Sequence, residues 1–163
     1  MHISQTHALT ITYMHTNRKL FITDWSYYHP SIIQAQMDGQ RYSLVIDTNL
    51  KWPNGLSLDR ENERIYWIDA YLDKMETSMY DGSDRKVLIQ ESRWRFHPYD
   101  IVYYKGYVFW SSVFNKTMHQ AQIKNDMVVN EMILRDEIYG PCQFHMVDPY
   151  TPRPGGIYPS IIQ

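Results

Sequence analysis

Arg64-Ile65-Tyr66-Trp67-Ile68-Asp69 has two counterparts in the same chain: Lys19-Leu20-Phe21-Ile22-Thr23-Asp24 before it and Tyr107-Val108-Phe109-Trp110-Ser111-Ser112 after it. Their central aromatics, Phe21, Tyr66 and Phe109, stand 45 and 43 residues apart. A second marker keeps the same step, because Pro53, Pro98 and Pro141 each open an apolar segment and are again 45 and 43 apart. A third is the turn Asp38-Gly39, repeated as Asp81-Gly82 and replaced by Asn125-Asp126, where a tight reversal needs residues that tolerate positive φ.

Between these markers the apolar runs are short, alternate with polar residues and end in Gly, Asn, Asp or Pro. That is a strand and hairpin pattern rather than a helical stripe. Aromatic residues make up 15% of the chain, 14 of them tyrosine, which favours pleated surfaces over helices. In the middle unit the pattern predicts strands near Gly55–Asp59, Arg64–Asp69, Lys74–Tyr80 and Lys86–Ile89. A period of this length is that of a four-stranded propeller blade, roughly 40 to 45 residues. The fold class read from the sequence is therefore all-β, with about three four-stranded blades and one further strand. The units lie near 8–47, 53–92 and 98–136, the last strand at 141–148, and 151–163 is a Pro/Gly-rich tail or linker.

Composition excludes several classes of function. With 16 basic against 18 acidic residues, interspersed, the chain lacks the basic stripe that nucleic acid requires. No apolar run approaches the roughly 20 residues that span a bilayer, so this segment is not expected to contact a membrane. Met1 to Thr10 has no Lys- or Arg-led apolar core of the kind that directs export. Cys142 stands alone, too few for an internal disulfide or a thiolate metal cluster, and no cofactor is expected.

The middle unit, Trp52-Pro53-Asn54-Gly55-Leu56-Ser57-Leu58-Asp59, then Arg64 to Asp69, then Asp81-Gly82-Ser83-Asp84-Arg85-Lys86-Val87-Leu88, resembles the YWTD repeats of the low-density-lipoprotein receptor family. The resemblance covers roughly residues 8 to 150. It implies an extracellular, non-enzymatic module that binds or releases protein ligands or contacts neighbouring EGF-like and class A modules, on the cell surface or in the endosome lumen. The parent it implies is a single-pass membrane receptor involved in endocytosis, lipoprotein binding or Wnt co-receptor-like signalling. It also implies a six-bladed ring, of which three units and a strand read as the C-terminal half. Nidogen-like matrix proteins use the same propeller for adhesion, which is the alternative reading. A calcium-dependent propeller hydrolase is a distant one, with Asn54, Asp100 and Gln143 near the inner strand ends.

Under this reading Phe21, Ile22, Thr23, Asp24, Tyr66, Trp67, Ile68, Asp69, Phe109, Trp110, Ser111 and Ser112 are repeat-motif residues. Pro53, Pro98, Pro141, Gly39 and Gly82 are the structural markers between them. The motif aromatics are expected in the packing between blades. Ser112 replaces the acid held by Asp24 and Asp69, so the third unit is the most diverged. Trp52 and Trp94 precede the Pro-led strands, in loops where partner contact competes with local packing. His29, His97, His119 and His145 have no metal-ligand spacing, and an endosomal pH response is conceivable for them. Asn115-Lys116-Thr117 is an N-glycosylation sequon placed just after a strand.

Overall fold

The computed structural model describes residues 8–14, 18–91 and 97–137. Pro141, the 141–148 strand, Trp94, Cys142, Gln143, His145 and the 151–163 tail lie outside the described residues.

Twelve strands form three antiparallel sheets of four, each in sequence order. The first sheet contains β1 (Ala8–Met14), β2 (Lys19–Asp24), β3 (Ser31–Gln36) and β4 (Tyr42–Ile46). The second contains β5 (Pro53–Asp59), β6 (Arg64–Asp69), β7 (Lys74–Met79) and β8 (Lys86–Gln90). The third contains β9 (Pro98–Tyr104), β10 (Tyr107–Ser112), β11 (Thr117–Lys124) and β12 (Met127–Arg135). The first strands β1, β5 and β9 lie side by side and the sheets fan out from them, so the chain is a three-bladed arc of a β-propeller. No helix occurs among the described residues.

The strand bounds differ from the sequence reading by a residue or two, for physical reasons. β5 begins at Pro53, which has no N–H to donate but sits at the first position of its strand, with a register shift between Pro53 and Leu56. β7 is bounded at Met79, one residue short of the sequence reading, although the Tyr80 N–H still donates to the carbonyl of Glu63 opposite it at 2.9 Å. Gly39, Gly82, Asn125 and Asp126 all have positive φ, and the two-residue turn at 125–126 lets β11 and β12 run longer than their counterparts.

Alternation along the motif strands gives each blade two different faces. The first motif aromatic points forward in chain order and the second position points back. Phe21 therefore meets Trp67, Ile65 and Leu56 in one apolar core, and Tyr66 meets Trp110, Val108 and Ile101 in the next. Phe21, Tyr66, Trp67 and Trp110 are buried. Phe109 departs from the expected core position: it is only half-buried, because its face has no further sheet against it among the described residues. Ile22, at the backward position of the first blade, is half-buried for the same reason.

Polar contacts stitch the blades as well. The Thr23 hydroxyl accepts the Thr10 N–H at 3.1 Å within its own sheet and donates to the Asn54 carbonyl of the next at 3.3 Å. The Tyr103 N–H donates to Ser57 Oγ at 2.8 Å, and the Tyr66 and Tyr103 rings stack with centroids 4.6 Å apart.

Candidate functional site

Asp69 closes the motif of the second blade and is completely buried. An ionised carboxylate is tolerated in such a place only when hydrogen bonds replace its water. Four backbone N–H groups do so: Lys51 at 2.7 Å, Trp52 at 3.1 Å, Tyr71 at 3.1 Å and Leu72 at 3.0 Å. The first pair belongs to the connector entering the blade, the second to the β6–β7 hairpin. The Ala70 N–H donating to the Trp52 carbonyl at 3.0 Å completes the junction. One side chain thus fixes two loops at the same end of the sheet, and each loop carries an aromatic residue.

Those aromatics are open to solvent. Trp52 is 42% exposed and Tyr71 59%. The Tyr71 ring meets Trp52 edge-on at 5.1 Å, and Trp52 meets Trp25 of the first blade edge-on at 6.3 Å. Trp25 directly follows Asp24, whose carboxylate accepts the Ser26 N–H at 2.9 Å, so it occupies the equivalent hairpin one blade earlier. That hairpin also carries Tyr27 and Tyr28, both exposed and in edge contact at 5.1 Å. The site is therefore a row of open aromatic rings across two blades on loops held by buried carboxylates. Such rings present apolar area at little conformational cost on binding.

The third blade is wired differently. Ser112 has a shorter side chain than Asp69, and among the described residues its Oγ accepts a long bond from the Asn115 N–H at 3.5 Å. The His97 N–H, at the position of Trp52, goes instead to Asp73 Oδ1 of the second blade at 3.1 Å. The His97 ring lies 3.7 Å from the same carboxylate, and His119 Nδ1 lies 3.0 Å from Glu131. Asn54 and Asp100 sit on the neighbouring inner strands β5 and β9. Among the described residues no three His, Cys, Asp or Glu side chains converge as a metal site would require.

A charged clamp backs the aromatic row. Glu76 is buried on the face of β7 that points back to the first blade, with Lys74 Nζ at 2.6 Å and the Arg85 guanidinium on both its oxygens at 2.9 Å. Lys74 also donates to the Asn49 carbonyl at 2.7 Å and Arg85 to the Thr48 carbonyl at 2.8 Å, which anchors the connector ahead of Trp52. Arg85 lies over the Trp67 ring at 5.3 Å. Lys74, Glu76 and Arg85 line a cleft of about 540 Å³ together with Asn49, Leu50, Lys51 and Val87.

Of the two tryptophans read as partner contacts, Trp52 lies in the aromatic row and Trp94 is outside the described residues. Trp25, Tyr71 and the clamp were not legible as a site. The available signal was position: each of these aromatics falls within two residues after a motif acid.

Residues 18–59 match the family model described as low-density lipoprotein receptor repeat class B. That stretch carries a class B repeat. The matched stretch runs from β2 through β5, so the sequence repeat is offset by one strand from the blade and carries its last strand into the next sheet. Among similar proteins, the vitellogenin receptor Yl of Drosophila melanogaster is 36% identical over 100 residues, covering 61% of this chain and 5% of that receptor. The sortilin-related receptor of Mus musculus is 35% identical over 100 residues, 58% of this chain and 4% of that protein. The vitellogenin receptor of Solenopsis invicta is 30% identical over 96 residues, 59% of this chain and 5% of the receptor. The chain thus spans only a small part of the length of each of these relatives. Their fold matches a chain in the crystal structure of a nidogen/laminin complex with a TM-score of 0.73 at 25% identity, covering 86% of this chain and 52% of that one.

Proposed function

We propose that this chain is a non-enzymatic, protein-binding module from the extracellular region of an endocytic receptor, and that it contacts its partner through the Trp25–Trp52–Tyr71 row. The observation that carries the reading is the exposure of this row on loops tied by hydrogen bonds to Asp24 and Asp69. Large apolar side chains left open on a fixed scaffold are the usual anchors of a protein interface. The receptor setting is supported by the vitellogenin and sortilin-related receptors among its relatives.

A matrix-adhesion role is the second reading, favoured by the likeness to a chain from a nidogen/laminin complex. Immobilised chain tested against purified vitellogenin and against laminin separates the two. Binding of vitellogenin that Trp52→Ala weakens by about 2 kcal/mol, roughly thirtyfold in Kd, supports the receptor reading. The same pattern with laminin supports the matrix reading. Binding of neither, or binding that Trp52→Ala and Tyr71→Ala leave unchanged, overturns the assignment of the site.

A further inference from the structure

The β10–β11 hairpin, Val113 to Lys116, is the third-blade counterpart of the hairpins that carry Trp25 and Tyr71, and it differs from them in chemistry. It presents Val113 and Phe114 to solvent, Phe114 at 64% exposure, with Asn115 exposed beside them. Asn115-Lys116-Thr117 is a sequon, and no other asparagine in the chain has Ser or Thr two positions on.

We infer that Asn115 carries an N-linked glycan, an inference that rests on the extracellular reading above. The turn is compatible with it. Lys116 has φ 56°, which swings the chain sharply after Asn115. Thr117 re-enters the sheet as a buried residue, its hydroxyl 2.7 Å from His119 Nε2. The folded sheet therefore takes in the threonine while Asn115 stays exposed at the hairpin, where a large hydrophilic substituent can project into solvent. A sugar stem at this position also covers the open Val113 and Phe114, which otherwise form an apolar knob with no buried counterpart.

In the step itself, the Asn115 Nδ2 joins the anomeric carbon of a sugar supplied as a lipid-linked oligosaccharyl diphosphate. The carbon–oxygen bond to the diphosphate breaks, the diphosphate leaves with the bonding pair, and the amide nitrogen gives up one proton. Because the hairpin stands at the same end as the aromatic row but on the third blade, the glycan bounds the partner's approach on that side and leaves Trp25, Trp52 and Tyr71 open.

The test is expression of the whole chain behind a cleavable secretory leader in animal cells, read by the gel shift on treatment with peptide N-glycosidase F. Mass spectrometry after cleavage in heavy-oxygen water locates the labelled Asp. One glycan at position 115 is expected, absent in Asn115→Gln and in Thr117→Ala and retained in Thr117→Ser. As a control, Asp38→Asn with Gln40→Thr builds a second sequon in the exposed β3–β4 turn, and two glycans are expected there. A wild-type chain without a glycan overturns the inference. One glycan in the double variant then shows that the machinery reaches the chain and passes over Asn115, which leaves the extracellular reading standing; that reading is tested separately by the vitellogenin and laminin binding above.

Discussion

The main-chain N–H of Trp52 donates to the carboxylate of Asp69 at 3.1 Å, so an exposed candidate contact residue is positioned by the fully buried fourth residue of the repeat motif. Stability and the proposed contact surface are therefore coupled through a single side chain. Asp69→Ala leaves four backbone donors without their acceptor, and each buried donor left unpaired costs about 1 to 3 kcal/mol. We expect a loss of at least about 3 kcal/mol by chemical denaturation. Ligand binding should weaken even under conditions where the variant is fully folded. Wild-type affinity in Asp69→Ala would show that the two loops hold their aromatics without it.

Truncating Tyr66 to Ala removes a buried ring that packs against Trp110 and stacks on Tyr103 across the blade interface. The expected cost is about 3 to 5 kcal/mol, the range for large aromatic deletions in cores. Equilibrium unfolding of the chain carrying the variant measures it. A change below about 1 kcal/mol would mean that the neighbouring blade closes over the gap.

Two glycines of the same turn type should respond differently to Ala. At Gly82, with φ 87°, an added Cβ meets the carbonyl oxygen of Val45 on the preceding blade, whereas at Gly39, with φ 69°, it meets nothing within 4 Å. Both substitutions carry the left-handed backbone penalty of about 1 kcal/mol, but only Gly82→Ala adds a backbone clash, typically about 1 to 3 kcal/mol more. Gly55→Ala belongs with Gly82→Ala, since its Cβ would stand 2.6 Å from the Ile101 nitrogen. Equal melting shifts for Gly39→Ala and Gly82→Ala would contradict this account of the blade interface.

Alkaline pH should loosen the second blade. Burial, with the nearby Asp59 charge adding to it, pushes the Tyr80 hydroxyl up from its ordinary value of 10.0 to about 12. A raised folded value means that the unfolded chain ionises first. The stabilising contribution is complete below pH 10 and is lost as pH rises towards 12. Tyr80→Phe also removes the hydrogen bond to the Asp59 carbonyl at 3.0 Å, so it should be less stable at neutral pH yet show a shallower decline above pH 10. Parallel stability profiles for the two proteins would rule Tyr80 out as a contributor.

As a separate polypeptide of 163 residues the chain should self-associate. The backward face of the first sheet carries the cross-strand row Ile11, Ile22, Ile33 and Leu44, with Ile11 61% and Leu44 56% exposed. The second sheet buries its corresponding face, and repeat units draw stability from such neighbours. Sedimentation at several concentrations should show mass rising with concentration, reduced by Leu44→Glu. A concentration-independent monomer with a cooperative melt would show that three blades suffice by themselves.

The number of sheets and the strands composing them were legible in the sequence because a repeated unit writes the same backbone pattern three times. The phased aromatics, prolines and turn residues act through local sterics and strand alternation, which need no knowledge of distant residues. Which way each motif residue points was partly legible too, since alternation assigns opposite faces to Tyr66 and Trp67. Only the tertiary structure decided what those faces meet: Phe109 is half-buried where Tyr66 is buried, because one has a neighbouring sheet and the other does not. The candidate site also belongs to the tertiary structure. Trp52 stood out in the sequence by its place before a Pro-led strand, but its neighbours did not: Tyr71 meets it because Asp69 draws a connector and a hairpin to one end of the blade, and Trp25 reaches it from the adjacent hairpin of the first blade. The Lys74–Glu76–Arg85 clamp was hidden for the same reason, as charged residues on a strand read as solvated until another blade's backbone carbonyls are brought against them.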